Sequence, residues 1–132
     1  MVVTVNDCGQ VAVHFPRDNF SRSPILLKVP QSAWGIDTHS EKRLLAISCN
    51  ALVVTLFHLG LGIKGWVWTL RSPSGIGLNG HRDNIPCVGF DRTGDYLASG
   101  SLDRSVRLWR CQDGSLIRLI TTDRRFLSGY LG

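Results

Sequence analysis

GHRDNIPCVGFDRTGDYLASGSLDRSVRLWR, residues 80–110, is the stretch that decides the fold class. Its apolar residues fall in three short runs: Ile85, Val88 and Phe90, then Leu97 and Ala98, then Val106 and Leu108. Runs of this length with an alternating pattern are the mark of strands. Between them stand Asp91-Arg92-Thr93-Gly94 and Ser101-Leu102-Asp103-Arg104. These residues hydrogen-bond their own backbone or accept left-handed conformations, and so make turns. A fourth strand around Ser115–Ile120, after the Asp113-Gly114 turn, completes an antiparallel four-stranded unit.

The unit opens on Gly80-His81 and ends its third strand on Trp109-Arg110. In this it resembles the WD40 repeat, a β-propeller blade opened by Gly-His and closed by Trp-Asp, with Arg110 standing where Asp is usual. The resemblance implies a hydrogen-bonded tetrad of His81, Ser99, Asp103 and Trp109 that satisfies polar groups buried by the blade. Left unpaired, each such group would cost about 1–3 kcal/mol. A Ser, a His and an Asp in one network are also the parts of a catalytic triad. Ser99 lacks the Gly-x-Ser-x-Gly elbow, however, and a Trp at the end of the relay is a structural partner, so the expectation is no enzyme and no catalytic residue.

Upstream, SAWGIDTH from Ser32, RLLAIS from Arg43 and VVTLF from Val53 repeat the same rhythm. Aligning LLAISCNALVVTLFH with YLASGSLDRSVRLWR sets Ile47 against Ser99, Ala51 against Asp103 and Phe57 against Trp109. This second blade is therefore degenerate, its tetrad largely apolar. Exchange of a whole network for apolar groups is nearly neutral, whereas loss of one member is not. Residues 2–15 read as two strands around a tight turn at Asp7-Cys8-Gly9, with Ile25–Val29 as the last strand of a partial blade.

These readings predict an all-β chain, a partial WD40 propeller of about two and a half four-stranded blades. The expected divisions are a partial blade over 1–30, the degenerate blade over 31–58, a Gly-rich loop or insertion over 59–79, the well-matched blade over 80–122, and a tail or the start of another blade over 123–132. Complete propellers have about 4–8 blades, so the chain reads as a fragment, a truncated product, or one part of a propeller completed by another chain. The blocks Ser32 to Gly35 and Asn84 to Pro86 are similar to those of a fungal WD-repeat family implicated in transcriptional control of ribonucleotide reductase genes. That similarity implies a transcription-regulatory role in the nucleus or cytoplasm.

Composition narrows the remaining classes. The four cysteines, Cys8, Cys49, Cys87 and Cys111, are far apart and no secretion signal opens the chain, so reduced intracellular thiols are expected. No Cys-x-x-Cys or His-x-x-x-His pair occurs, and no metal or cofactor is expected. Residues 44–63 carry no Asp, Glu, Lys or Arg, but Ser48, Asn50, Thr55 and His58 and the clustered β-branched residues fit two buried strands rather than a membrane span. The glycines of 60–65 and 75–77 lack the Lys-Ser/Thr ending of a phosphate loop. Net charge is +5, with Arg104, Arg107, Arg110, Arg118, Arg124 and Arg125 in the carboxy-terminal third. A basic nucleic-acid-associated module is the alternative to a protein-binding scaffold, although the aromatic-basic interleaving that stacks bases is missing. The favoured partners are proteins or peptides, met by blade-top loops containing Gln31, Ser32, Arg82, Asp83, Asn84, Leu102 and Arg104. Trp34 is expected to pack between blades.

Overall fold

The computed structural model describes residues 1–14, 16, 19, 21, 23–62, 65–70, 77–78 and 80–121. Its first sheet holds β1 (Val2–Val5), β2 (Gln10–His14) and β3 (Ile25–Lys28), antiparallel and in sequence order. The central sheet holds β4 (Ala33–His39), β5 (Leu44–Cys49), β6 (Val53–Gly62) and β7 (Gly65–Leu70), with the two-residue β8 (Gly77–Leu78) also paired to β6. The third sheet is a four-stranded meander of β9 (Cys87–Phe90), β10 (Tyr96–Gly100), β11 (Ser105–Arg110) and β12 (Leu116–Thr121). The fold is all-β, as the alternation in the sequence requires, and the sheets fit a partial WD40 propeller.

Turn chemistry joins these strands. Asn6 accepts the N–H groups of Cys8 and Gln10 through its side chain, and Gly9 closes that turn at φ +77°. Asp91 likewise accepts from Tyr96 N and from the Thr93 hydroxyl, and Gly94 follows at φ +73°. These are the short-range bonds that Asn and Asp make in preference to a ladder.

Residues 59–79, expected as a Gly-rich loop or an insertion, include paired strands. Strand β6 runs on to Gly62, and β7 pairs back along it from Phe57↔Leu70 to Gly62↔Gly65. Farther along the chain, β8 takes the place of a fourth blade strand by pairing with Val54 and Thr55. In the third sheet Val106 pairs with Ile120, fourteen residues on; in the central sheet Val54 pairs with Leu78, twenty-four residues on. The extra ten residues belong to a β-hairpin arm. Glycine reads as loop in a sequence, yet a strand with a ready partner tolerates it. The segment 123–132 lies outside the described residues.

The central sheet carries the core on both faces, and all six residues of β5 are buried. Leu45, Ile47, Cys49 and Phe57 pack against Val11, Val13 and Val29 of the first sheet and its connection. Leu44, Ala46, Val54 and Leu56 pack against Ile85, Leu97, Trp109 and Cys111 of the third. Every second residue therefore serves a different neighbour, which explains the unbroken apolar run of this segment.

Directional bonds fix the seam between the central and third sheets. Ser48, fully buried, accepts from Gly35 N at 2.7 Å and donates to the Ile85 carbonyl at 2.5 Å. Phe90 N donates to Asp37 Oδ2 at 2.7 Å. At the far end, the His39 Nε2–H donates to the Arg92 carbonyl at 2.8 Å, and Lys42 pairs with Asp95. A Cβ on Gly35 would stand 2.7 Å from Ser48 Oγ and 3.1 Å from Pro86 O and Cys87 Cα, so only glycine allows this approach.

Candidate functional site

The third sheet gathers the four polar residues singled out in the sequence. Trp109 Nε1–H donates to Ser99 Oγ at 2.9 Å, and Ser99 Oγ lies 2.7 Å from His81 Nε2. His81 Nδ1 lies 3.1 Å from Asp103 Oδ2. A carboxylate only accepts, so the proton of a neutral His81 belongs on Nδ1 and the Ser99 hydroxyl donates to Nε2. All donors then point the same way, from indole to hydroxyl to imidazole to carboxylate. Ser99, His81 and Trp109 are buried, and Asp103 is half-buried at the outer end.

The alternation of β10 and β11 sets this geometry. Leu97 and Ser99 share one face of β10, and Ser105, Arg107 and Trp109 share the facing side of β11. His81 reaches them from the connection preceding β9. Gly80 precedes it at φ +137°, with the Arg107 guanidinium donating to its carbonyl at 2.9 Å. A Cβ there would meet that guanidinium at 2.5 Å.

Ser105 is a further member that the sequence reading missed. Its hydroxyl donates to Asp103 Oδ1 and lies 3.1 Å from His81 Nδ1. Burial alone would raise the Asp103 carboxyl; hydrogen bonds from the Ser105 hydroxyl, the Arg82 N–H, His81 and the Ser105 N–H overcome that and hold it well below the usual carboxylate range. The available signal was Ser101-x-Asp103-x-Ser105, hydroxyls on both sides of a turn Asp.

Fifty-two residues upstream the same positions hold Val29, Ile47, Ala51 and Phe57; Val29, Ile47 and Phe57 belong to the core between the first and central sheets, and the half-buried Ala51 packs against it. The degenerate blade has thus exchanged the network for apolar packing at every position, and no orphaned partner is left behind. The Ser99-His81-Asp103 constellation sits in the interior with its Ser hydroxyl committed to Trp109 and His81, which suits a strut rather than a nucleophile.

The loop residues named from the sequence lie along one edge of the stack. Leu102 N donates to the Asn84 carbonyl and Ser101 Oγ to the Asp83 carbonyl, tying the two loops of the third sheet together. Ser32 Oγ donates to the Asp7 carbonyl, and Asn50 N to the Ser32 carbonyl. Gln31, Arg82, Asp83, Leu102 and Arg104 are exposed; Ser32 and Asn84 are half-buried. Gln31 and Arg104 adopt φ values of 60° and 69°.

One expectation is corrected. Trp34 does not pack between blades: it is 55% exposed, against 3% for Trp109. The arginines of the third sheet are spread over different faces. Arg107 turns inward to Gly80, Arg118 lies across from Leu108 on the opposite face, and Arg110 approaches Asp113; Arg124 and Arg125 lie outside the described residues. Among the described residues no group of three or more His, Cys, Asp or Glu could hold a metal, all four cysteines are free, and no helix is long and apolar enough to cross a membrane.

Comparison with known proteins agrees with this geometry. Residues 71–110 match the family described as WD domain, G-beta repeat. The chain is similar to an uncharacterized WD repeat-containing protein of Schizosaccharomyces pombe, 41% identical over 111 residues, covering 81% of this chain and 23% of that protein. It is similar to a WD40 repeat-containing protein of Dictyostelium discoideum, 32% identical over 122 residues, covering 92% of this chain and 17% of the relative. A third likeness is to eukaryotic translation initiation factor 3 subunit I of Eremothecium gossypii, 31% identical over 77 residues, 58% of this chain and 22% of that subunit. The chain thus spans less than a quarter of the length of these relatives. Residues 71–110 match the WD40 repeat, and the chain is similar to WD-repeat proteins along most of its length.

Proposed function

We propose that this chain is part of a non-enzymatic, intracellular WD40 protein-interaction scaffold whose loop edge, built from Gln31, Ser32, Arg82–Asn84, Leu102 and Arg104, recognises protein partners. The observation that carries this reading is the combination of an inward, self-satisfied polar network with an exposed and cross-tied loop edge. The network is spent on rigidity, and rigid display of exposed loops is what recognition uses. A role in a transcription-regulatory assembly rests on the Ser32–Gly35 and Asn84–Pro86 blocks alone. The likeness to a translation initiation factor subunit supports the broader reading of a component in a multiprotein assembly.

A second contact is with further blades, from this protein's own remainder or from another chain. Leu44, Ala46, Val54 and Leu56 of the central sheet are buried beneath the third sheet. Fifty-two residues on, Tyr96, Ala98, Val106 and Leu108 repeat that face on the third sheet, where Tyr96 is 40% and Val106 36% exposed. A surface that copies an interblade face is complementary to another blade of the same type.

The test is affinity capture with the wild-type chain, an Arg82→Glu/Leu102→Ser variant, and a Lys42→Glu variant at the opposite edge. The scaffold reading expects a defined set of proteins that the loop variant loses, that Lys42→Glu retains, and that survives nuclease and a rise from about 50 to about 200 mM salt. Retention of the same set by the loop variant, or material that disappears with nuclease, contradicts it.

A further inference from the structure

Each sheet has a forward face, toward the next sheet along the chain, and a backward face, toward the sheet before it. The strand pairs that build these faces repeat in register. Val3↔Val13, Ala46↔Leu56 and Ala98↔Leu108 are equivalent pairs on the forward faces, joined by Val11, Val54 and Val106. Val2↔His14, Leu45↔Phe57 and Leu97↔Trp109 are equivalent on the backward faces, joined by Thr4, Ile47 and Ser99. Forward meets backward twice within the molecule: Val11 and Val13 pack with Leu45, Ile47 and Phe57, and Ala46, Val54 and Leu56 pack with Leu97 and Trp109. The forward face of the third sheet and the backward face of the first have no such match among the described residues. Val106 on one and Val2 and Thr4 on the other are exposed, whereas Val11, Val54, Leu45, Ile47, Leu97 and Ser99 are buried in the two inner contacts.

The backward face of the first sheet is built as the other two are. Thr4 Oγ1 lies 3.3 Å from His14 Nε2, in the places where Ser99 accepts from Trp109. On the other two sheets, the connection that leaves the sheet before supplies a residue to this face. Val29, after β3, is delivered to the central sheet, and His81, after β8, is held by Ser99 and Ser105 of the third. On the first sheet the same place is a hollow of about 620 Å³, whose lining includes Thr4 and Gln10, the equivalents of Ser99 and Ser105.

We infer that the backward face of the first sheet takes the forward face of the third sheet of a second copy of this chain, head to tail, and that the same contact on the other side closes a ring of two copies. This rests on the reading above that another blade covers the third sheet, and it names that blade. A contact between two different surfaces of one chain makes a ring when the rotation closes. Such a ring holds six sheets, inside the range of about 4–8 blades at which propellers close. Apolar side chains at interblade positions, exposed on a single copy, supply the driving force.

Sedimentation equilibrium of the full chain reads the contact directly. Expected are the mass of two chains for wild type and for Leu102→Ser at the loop edge, and dissociation to single chains, with association weakened about tenfold or more, for Val106→Asp and for Val2→Asp. Either variant alone lacks one of the two surfaces that every contact needs. Mixed together they keep one intact contact, so the two-chain mass should return, which also shows that both are folded. A single-chain mass for wild type overturns the second copy; the covering of the third sheet by some other blade is then decided separately, by whether Val106→Asp loses proteins in the affinity capture. Two-chain mass for Val106→Asp alone places the contact elsewhere and overturns the inference. Loss in Val106→Asp without loss in Val2→Asp means a like-to-like contact and overturns the head-to-tail arrangement. Species that keep growing with concentration overturn the closed ring.

Discussion

Ser99 is the residue on which the third sheet turns, because its single hydroxyl accepts a hydrogen bond from one buried group and donates one to another. Ser99→Ala removes both bonds and leaves the Trp109 N–H and His81 Nε2 buried. The expected cost is about 1–3 kcal/mol, read as a lower urea midpoint with an unchanged slope. The apolar quartet Val29, Ile47, Ala51 and Phe57 supplies the contrast, since there the whole network is gone and no partner is stranded. Asp103 gives the blade a pH dependence of definite sign. Its native carboxyl titrates below the ordinary 3.8, so its contribution is complete above that value and is lost as pH falls from there toward the native one. Acid titration of stability should therefore show a steeper fall below about pH 4 in wild type than in Asp103→Asn, whose neutral-pH stability is already reduced. The tetrad was legible in the sequence because its members stand in a repeat with fixed turn positions. Trp34 was not, because a bulge between Ala33 and Ile36 inverts the alternation on which burial is judged, and nothing in Ser-Ala-Trp-Gly announces the extra residue.

At the scale of elements, β5 and β6 are the strands with neighbours on both sides, and the repeat gives an internal comparison. Leu56 is fully buried between the central and third sheets, whereas Leu108, its counterpart fifty-two residues on, is only half-buried on the outer face. Leu56→Ala is expected to destabilise by about 2–5 kcal/mol, and Leu108→Ala by distinctly less. Equal midpoints for the two variants in urea would show that the central sheet does not bear the core. The strands of the third sheet were readable from their turns, since Asp91–Gly94 and Ser101–Arg104 say where each must end. Strand β7 was masked by the glycines on either side of it, although Trp66, Val67, Trp68 and Thr69 are themselves strand formers; pairing with an extended β6 decides it. The buried Ser48 was equally silent, since its partners are Gly35 and Ile85, thirteen and thirty-seven residues away.

Taken whole, the molecule is a stack in which one central sheet belongs to two cores at once. The seam of Ser48, Asp37, His39 and Lys42 adds directional bonds to the apolar contact, so sliding one blade past the next breaks several of them together. Under the proposed scaffold reading, rigidity of that kind holds the loop edge for recognition, and the outer face of the third sheet is the surface another blade would cover. The most direct test of a single interlocked scaffold is urea unfolding of the full chain followed by tryptophan fluorescence, which reads Trp109 of the core together with Trp34, Trp66 and Trp68, and by far-ultraviolet circular dichroism, which reports on all strands. One coincident, cooperative transition in both signals, shifted together to lower urea by Ser99→Ala, is the result expected of shared cores. Two separated transitions, or a Ser99→Ala midpoint equal to wild type, would contradict it.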